Sequence, residues 1–281
     1  MFEDNEISIP IENNYLWFTT TLIHAVMKNF LLSFLLVVTL QSTAQLQPVA
    51  SGVYHWNEMA VKKDSLRETR RIMQGTTPEF EYFEIHATTQ FKGAPPKPAH
   101  TQKDIEELII IKEGSMKCII GGKTTILGKG SVMIIPPLVS QQLENAGNGP
   151  LTYYVVQCRS KKMNIERSTL AGGALLLNYD TLPYTEANNK GARKYFDRPT
   201  AMCDRYEMHI TYLKQKGPSH APHQHPETEI VLVIEGDCEM MIEGKTYTGS
   251  AGDMFIAESG KLHGVGNASD KPCSYFAFKW R

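Results

Sequence analysis

The stretch that decides the fold runs from Gly217 to Gly236 and reads GPSHAPHQHPETEIVLVIEG. Two histidines one residue apart precede a glutamate four residues later, and an apolar run of strand type follows. Because side chains alternate between the two faces of a strand, His223, His225 and Glu229 are expected to point the same way. A second segment, from Gly252 to Asn267, supplies His263 from a neighbouring strand. Three imidazoles and one carboxylate form a ligand set that suits a divalent first-row metal.

These two segments resemble the two signature motifs of the cupin superfamily, G-x5-H-x-H-x3,4-E-x6-G and G-x5-P-x-G-x2-H-x3-N. The first motif is matched at every spacing, and the second is matched at Gly252, Gly260, His263 and Asn267. Glu258 stands where the family usually has proline, a position that shapes a turn and binds no metal. The resemblance therefore implies a metal site whose ligands are His223, His225, Glu229 and His263.

The second half of the chain repeats the first half at an offset of 122 residues, as Gly114 with Gly236 and Asn145 with Asn267 illustrate. Short β-branched or aromatic runs, bounded by turn residues, predict strands in a sandwich or small barrel. These runs are Leu108–Ile111, Val132–Ile135, Thr152–Gln157, Ile230–Ile234 and Tyr275–Phe278. Helix is predicted only over 62–73 and 168–177. The predicted fold is all-β, a bicupin of two tandem double-stranded β-helix (jelly-roll) barrels with short helices, at 50–160 and 165–281.

The repeat also predicts a degenerate site in the first barrel. Opposite the four predicted ligands of the second barrel stand His100, Gln102, Glu107 and Gln141. Two imidazoles are thus replaced by carboxamides, whose oxygens are much weaker ligands for a borderline metal. The first barrel is therefore either structural, with or without an organic ligand held by hydrogen bonds, or a weak, vestigial metal site. One divalent transition metal is expected in the second barrel, and the sequence leaves Mn, Fe, Zn, Ni and Cu open.

Three polar residues near the second-barrel motif are weaker candidates. His220 is a candidate acid or base at the barrel mouth, and the alternative is a solvated loop histidine. Glu227 and Glu258 are expected to be exposed charges.

The strand that enters the motif carries two alternating sets of side chains. The apolar set is expected to line the ligand cavity and consists of Tyr206, Met208 and Ile210. The polar set is Glu207 and His209, and His209 is expected to make the same structural hydrogen bond as its repeat equivalent His86.

Residues 1–44 are predicted to be an upstream extension followed by a secretory signal peptide. Met27, the predicted initiator, and Lys28 precede an apolar run from Phe30 to Leu40, and small residues lead to a cleavage point after Ala44. A positive start, a short apolar core and a small-residue site are typical of secretion signals. The core is too short to span a bilayer comfortably, so a retained anchor is the second choice. We therefore expect a periplasmic or secreted protein without stable membrane insertion after cleavage.

The charge and the cysteines limit the partners. A net charge of -1 over 281 residues gives no basic footprint for nucleic acid, so the expected partner is a small-molecule ligand or substrate. An odd number of cysteines leaves at least one thiol free even in an oxidising compartment, and no role is assigned to Cys118, Cys158, Cys203, Cys238 or Cys273. A monomer with two facing barrels, or a homodimer, is expected.

Cupin resemblance implies several activities, and a fold does not choose among them. A metal-dependent enzyme on a small organic substrate is the leading hypothesis, as a dioxygenase or as a sugar-acid isomerase or lyase. The alternative is a non-catalytic protein that uses the metal to hold a small carboxylate or sugar. A purely structural role is the third possibility, and the intact ligand quartet argues against it.

Overall fold

The computed structural model describes residues 45–281, and almost all of its regular structure is β-strand. The first half contains β1 (Gly52–Tyr54), β2 (Val61–Lys63), β3 (Arg67–Gly75), β4 (Tyr82–Gln90), β5 (Glu106–Glu113), β6 (Ser115–Ile120), β7 (Lys123–Gly128), β8 (Val132–Ile135), β9 (Gln141–Asn145) and β10 (Leu151–Arg159). The helix α1 (Ile165–Leu170) follows it. The second half contains β11 (Leu175–Leu177), β12 (Thr185–Ala187), β13 (Lys190–Arg198), β14 (Tyr206–Leu213), β15 (Gly217–Pro218), β16 (Thr228–Glu235), β17 (Asp237–Ile242), β18 (Lys245–Ser250), β19 (Met254–Ala257), β20 (His263–Asn267) and β21 (Cys273–Trp280). Single 3-10 turns lie at Trp56–Glu58 and Tyr179–Thr181.

Each barrel is built from one seven-stranded sheet and one smaller sheet. The first barrel has the orders β11-β8-β5-β10-β4-β3-β2 and β7-β6-β9, and the second has β1-β19-β16-β21-β14-β13-β12 and β15-β20-β17-β18. All pairings between these strands are antiparallel, and the five apolar runs quoted above lie in β5, β8, β10, β16 and β21. The prediction of an all-β fold with two tandem barrels is confirmed.

The two barrels exchange their first strands. β1 pairs with β19 of the second barrel, with Gly52 opposite Ile256, and β11 pairs with β8 of the first barrel, with Leu175 opposite Ile134. Neither barrel is therefore a continuous stretch of chain, which departs from the boundaries predicted at 50–160 and 165–281. The exchanged segment continues to Trp56, which lies against Gly252; a Cβ on this glycine would come within 3.2 Å of the indole.

The core between the barrels is formed by the facing surfaces of the two large sheets. It takes apolar side chains from both halves, whereas the interior of each barrel has a smaller core of its own. The apolar set of β14, Tyr206, Met208 and Ile210, belongs to the core between the barrels. The prediction that this set lines the ligand cavity is therefore wrong, because the interior of the barrel takes the alternate, polar set.

The helix predicted over 62–73 is also wrong. Residues 61–63 and 67–75 are strands joined at Asp64, whose Oδ1 accepts hydrogen bonds from the backbone nitrogens of Leu66 and Arg67, both at 2.7 Å. Many good helix formers occupy this stretch, but pairing of β3 along the whole of β4 outweighs that local preference. Of the helix predicted over 168–177, only residues 168–170 are helical, in α1, which begins at Ile165 after Asn164 as its N-cap; residues 175–177 form β11 instead.

The repeat seen in the sequence is also seen in the turns. Asn145 donates from Nδ2 to the carbonyl of Gly149 at 2.9 Å, and Asn267 donates likewise to Lys271 at 2.7 Å.

All five cysteines are buried and free. Among residues 45–281 no helix is both long and apolar enough to cross a membrane. The predicted extension and signal peptide lie outside the described residues.

A buried carboxyl group at the boundary between the barrels is predicted to make stability depend on pH. Glu106 is 1% exposed; its Oε2 accepts from the backbone nitrogen of Ala201 at 2.9 Å, and its Oε1 has no partner. Burial raises the pKa of Glu106 to about 7, from 4.5 for the free side chain. Between pH 4.5 and about pH 7, the folded state therefore keeps the proton of Glu106 whereas the unfolded state loses it. The stability contributed by this group is thus fully present below pH 4.5 and is lost as the pH rises towards 7.

Replacing Glu106 by glutamine is expected to remove this dependence. Between pH 5 and pH 8, the variant should gain about 2–3 kcal/mol of unfolding free energy relative to wild type. Urea unfolding across that range measures the change. The exposed Glu235→Gln is the matched control and is expected to shift the unfolding free energy by less than about 0.5 kcal/mol at any pH. A difference between Glu106→Gln and wild type that does not vary with pH would refute this account.

Candidate metal centre

The histidine segment is fixed beside β20 by backbone hydrogen bonds. His223 and His263 exchange two of them, at 2.8 and 2.9 Å, and the backbone nitrogen of Gly260 donates to the carbonyl of His225 at 2.9 Å. The loop after β15 is thereby aligned with the first residue of β20. This alignment explains how ligands that are 40 residues apart, such as His223 and His263, reach the same point.

Three imidazoles converge at this point. One ring nitrogen from each of His223, His225 and His263 lies within 4.8 Å of those of the other two. Glu229, on β16, joins them: its Oε2 lies 3.0 Å from Nε2 of His225 and 3.9 Å from Nε2 of His263. The structure therefore brings together all four residues that the sequence predicted as ligands.

Backbone carbonyls orient two of the rings. Nδ1 of His225 lies 3.0 Å from the carbonyl of Glu227, and Nδ1 of His263 lies 2.8 Å from that of Lys261. Since a carbonyl only accepts, each Nδ1 carries a proton, and this contact directs each Nε2 towards the site. This is the arrangement that a metal-binding imidazole needs.

The buried charge in the site is held in its ionised form. Burial alone would raise the pKa of the Glu229 carboxyl, but the hydrogen bond from His225, the nearby His263 imidazole and the Lys279 ammonium together hold that pKa well below its usual range. Burial lowers the pKa of His263, yet the Glu229 carboxylate and the Lys261 carbonyl outweigh burial and raise it. The pKa of His223 is lowered, first by burial and then by its histidine neighbours.

The residues fit a metal ion. Two buried ring nitrogens, Nδ1 of His223 and Nε2 of His263, have no hydrogen-bond partner, although buried polar atoms in proteins are nearly always paired. A first-row divalent ion bound among nitrogens and a carboxylate oxygen would satisfy such atoms. Among the described residues, these three histidines form the one cluster of this kind.

Sequence reasoning missed a lysine beside the site. Lys279, on β21, stands directly opposite Glu229 in the strand register, and its Nζ lies 3.8 Å from Oε2 of Glu229 and 3.6 Å from Oε2 of Glu207. Its equivalent in the first barrel is Gln157, which stands opposite Glu107. The repeat offset of 122 residues could have revealed Lys279, because it aligns this cation with the neutral amide of Gln157.

Glu227 is not an exposed charge, so that prediction is wrong. It is 4% exposed, and its Oε1 accepts from Arg205 at 3.1 Å, while its Oε2 lies 3.4 Å from Nδ1 of His225. Arg205 also binds Asp197 and Glu207. Glu227 is therefore a charged support of the His225 ring, and Glu258, the other acid of this prediction, is half-buried and accepts from Ser51 at 3.2 Å.

The remaining histidines are placed as follows. His220 is exposed, and its ring centroid lies 4.6 Å from that of His223, so it stands at the edge of the cluster without being part of it. His86 and His209 each lie beside the glutamate two residues earlier on their own strands, at 3.1 and 3.4 Å. The predicted shared contact of His86 and His209 is thus present.

In the first barrel, the equivalent residues also converge, but they satisfy one another. Gln102 and Gln141 donate from Nε2 to the carboxylate of Glu107 at 3.2 and 2.6 Å, and Gln157 adds a third bond at 2.7 Å. His100 is exposed and pairs with Gln141 through the backbone alone. A weak metal site at these residues stays a prediction.

Comparison with known proteins identifies the class. The cupin domain family matches the chain twice, at residues 89–157 and 210–279, one match in each barrel. The chain belongs to the cupin superfamily as a tandem of two cupin domains. No curated protein sequence matches it.

Three solved structures with the same fold are distant in sequence. AerE from Microcystis aeruginosa is 12% identical at a TM-score of 0.64, over 83% of this chain and 100% of that one. Protein YlbA from E. coli is 14% identical at 0.63, over 84% and 94%. The oxalate decarboxylase of Lactobacillus farciminis, in a formate complex, is 12% identical at 0.63, over 83% and 87%. At such identities the likeness establishes the fold alone.

Proposed function

We propose that the protein is a metal-dependent enzyme that acts on a small carboxylate. One divalent transition metal is held in the second barrel by the four residues His223, His225, Glu229 and His263. The observation that carries the proposal is a complete imidazole–carboxylate ligand set with the ammonium group of Lys279 at its edge.

A bound divalent metal supplies Lewis acidity, or redox chemistry with dioxygen, to a substrate in its open coordination positions. The protein itself supplies charge and orientation. Lys279 is 19% exposed and lies between the carboxylates of Glu229 and Glu207, so its ammonium is fixed in place and is available to an incoming anion. An anionic substrate therefore fits this site better than a neutral one.

A proton carrier lies on the same face of the sheet. His209 shares the inward face of β14 with Glu207, and its Nδ1 lies 3.4 Å from that carboxylate. This contact leaves Nε2 to take up or release a proton. We assign His209 this role and keep the exposed His220 as the second candidate acid or base.

The carboxylate class is supported by two relatives in fold. Oxalate decarboxylases of Lactobacillus farciminis and Bacillus subtilis share the tandem architecture, the former in a formate complex and the latter with Mn(II) centres. Mn is therefore the first metal to test, with Fe, Zn, Ni and Cu beside it. Export through the predicted signal peptide, to the periplasm or beyond, is part of the proposal, as is a monomer or homodimer.

The proposal is tested by reconstituting chelator-treated protein with each metal and incubating it with small mono- and dicarboxylates and sugar acids. Under air and under argon, mass spectrometry follows the products. At least one carboxylate is expected to be consumed only when a metal is present. Consumption in air alone would indicate an oxygenase, and equal rates under argon would indicate a lyase, an isomerase or a decarboxylase.

Lys279→Met is expected to raise KM for that substrate about 10–100-fold with metal content unchanged, because a hydrogen bond between two charged groups is lost. The exposed Lys271→Met is the matched control and should behave as wild type. If a carboxylate binds tightly but is not converted, whichever metal is added and in either atmosphere, the result would contradict catalysis. It would favour the non-catalytic binding protein.

A further inference from the structure

The interior of the first barrel contains a polar cavity that the proposed function does not use. Its volume is about 240 Å³. Its lining includes the polar side chains of Gln90, Gln102, Glu107, Gln141, Tyr153 and Gln157, together with the basic side chains of His86, Lys97 and His100. A cavity lined in this way needs a polar occupant, because water or a ligand must satisfy its donors and acceptors.

The floor of this cavity is a buried carboxylate that has hydrogen bonds but no counter-ion. Glu107 is 5% exposed and accepts one hydrogen bond from each of Gln102, Gln141 and Gln157. Within residues 45–281, no lysine, arginine or histidine forms an ion pair with it. Neutral amides solvate the charge without cancelling it, so the cavity keeps a negative potential.

The three basic groups that line the cavity are engaged elsewhere or exposed. His86 lies 3.1 Å from the carboxylate of Glu84, and Lys97 is exposed. His100 is exposed as well, with Nδ1 3.4 Å from a backbone carbonyl. None of these groups therefore supplies the positive charge that Glu107 lacks.

In the second barrel, the protein itself supplies basic side chains around the equivalent carboxylate. There Glu229 is surrounded by His225, His263 and Lys279. In the first barrel each of these three cations or imidazoles is replaced by a glutamine, while the carboxylate is kept. The carboxylate of the first cavity therefore has no cationic partner from the protein, whereas that of the second cavity has one in Lys279.

The orientation of the glutamines defines the other requirement. A carboxylate can only accept, so the amide nitrogens of Gln102 and Gln141 face Glu107 and their oxygens are turned away from it. Those two oxygens accept no hydrogen bond from any described residue. Tyr153 accepts a hydrogen bond from Gln90 at 3.2 Å, which leaves its own proton free to donate. The site thus offers a ligand two amide oxygens as acceptors beside the Glu107 carboxylate, and the Tyr153 hydroxyl as a donor.

We propose that the first barrel binds a small organic cation, a primary amine that also carries hydroxyl groups, such as an amino alcohol or an amino sugar. The ammonium group pairs with Glu107, and the hydroxyl groups bond to the amide oxygens of Gln102 and Gln141. The cavity volume is below the range of roughly 300–1,000 Å³ usual for drug-sized ligands, which limits the occupant to a small molecule. This inference does not rest on the metal-dependent activity of the second barrel.

Titration calorimetry with pairs of nearly isosteric probes tests the proposal on the whole native protein. Ethanolamine and D-glucosamine are compared with neutral ethylene glycol and D-glucose and with the anions glycolate and D-gluconate. At least one ammonium probe is expected to bind with a Kd at least tenfold lower than its neutral and anionic counterparts. If neither ammonium probe binds, or if the counterparts bind equally well, the proposal is overturned.

Two substitutions locate the binding. Glu107→Gln removes the charge, and Gln157→Lys introduces at the same place the cation that the second barrel has; each should weaken amine binding at least tenfold. Glu229→Gln removes the equivalent charge from the second barrel and should leave amine binding unchanged. Loss of amine binding in Glu229→Gln alone would place the amine at the second barrel and overturn the proposal. Thermal melting checks the fold of each variant, and if Glu107→Gln does not fold, Gln157→Lys decides.

Discussion

Replacing His263 by glutamine is expected to remove tightly bound metal from the protein. The substitution gives the second barrel the residue that the first barrel has at Gln141, whose amide donates to its neighbouring carboxylate at 2.6 Å. A glutamine at position 263 should do the same to Glu229, which would remove an imidazole ligand and also occupy a carboxylate oxygen. Metal affinity is therefore expected to fall by more than about 100-fold. This loss is larger than that expected from removing a residue that only orients a ligand by a hydrogen bond.

Competition titration against a chromophoric chelator measures this change. Gln141→Ala is the matched control in the first barrel and should leave the affinity of the second barrel unchanged. If His263→Gln kept wild-type affinity while Gln141→Ala lost it, the working site would lie in the first barrel and the assignment made here would be reversed.

Replacing Trp280 by alanine is expected to cost about 3–5 kcal/mol of unfolding free energy, the range for truncating a large aromatic side chain in a core. Trp280 is fully buried, with its ring centroid 5.4 Å from that of Phe80 and 5.1 Å from that of Phe83, which belong to the other barrel. Its Nε1 donates to Oε2 of Glu79 at 3.1 Å, so the substitution also removes a donor from a carboxylate.

Urea denaturation followed by circular dichroism measures this loss. Because Trp280 joins the two barrels through one core, wild type is expected to unfold in a single transition. Leu170→Ala, at a side chain that is 82% exposed, is the control and should change the unfolding free energy by less than about 0.5 kcal/mol. A loss below about 1 kcal/mol in Trp280→Ala would contradict the shared core.

Much of the fold followed from the sequence because its signals are local or repeated. Apolar runs such as Val132–Ile135 are fixed by their own composition and flanking turn residues, and they are strands. The offset of 122 residues predicted two similar barrels without any knowledge of contacts. The four predicted ligands converge because backbone hydrogen bonds of His223 and His225 align their loop with the segment that enters β20, beside Glu229 on β16.

The features that the sequence did not predict depend on contacts between distant parts of the chain. The exchange of β1 and β11 joins segments about 200 and 40 residues from their partner strands, and no local pattern encodes such a pairing. The orientation of β14 was predicted wrongly because its side chains alternate between two cores. The sequence does not show which set faces the barrel interior and which set faces the core between the barrels. Glu227 was misread because its burial is compensated by Arg205, a residue outside the motif.

The comparison of the two barrels also gives a physical account of their divergence. A carboxylate on the inner face is kept in both, at Glu107 and Glu229, while its partners change from imidazoles and an ammonium group to three amides. A small set of substitutions has therefore changed the groups around each carboxylate, without altering the strands that carry the residues. Each barrel retains its own interior core.

The most direct test of the metal assignment is anomalous X-ray diffraction from crystals of natively purified protein, recorded on both sides of the absorption edges of Mn, Fe, Ni, Cu and Zn. One strong anomalous peak is predicted per chain, in contact with His223, His225, Glu229 and His263, and no peak beside Glu107. A peak beside Glu107, or a second barrel without any peak in metal-supplemented crystals, would contradict the assignment.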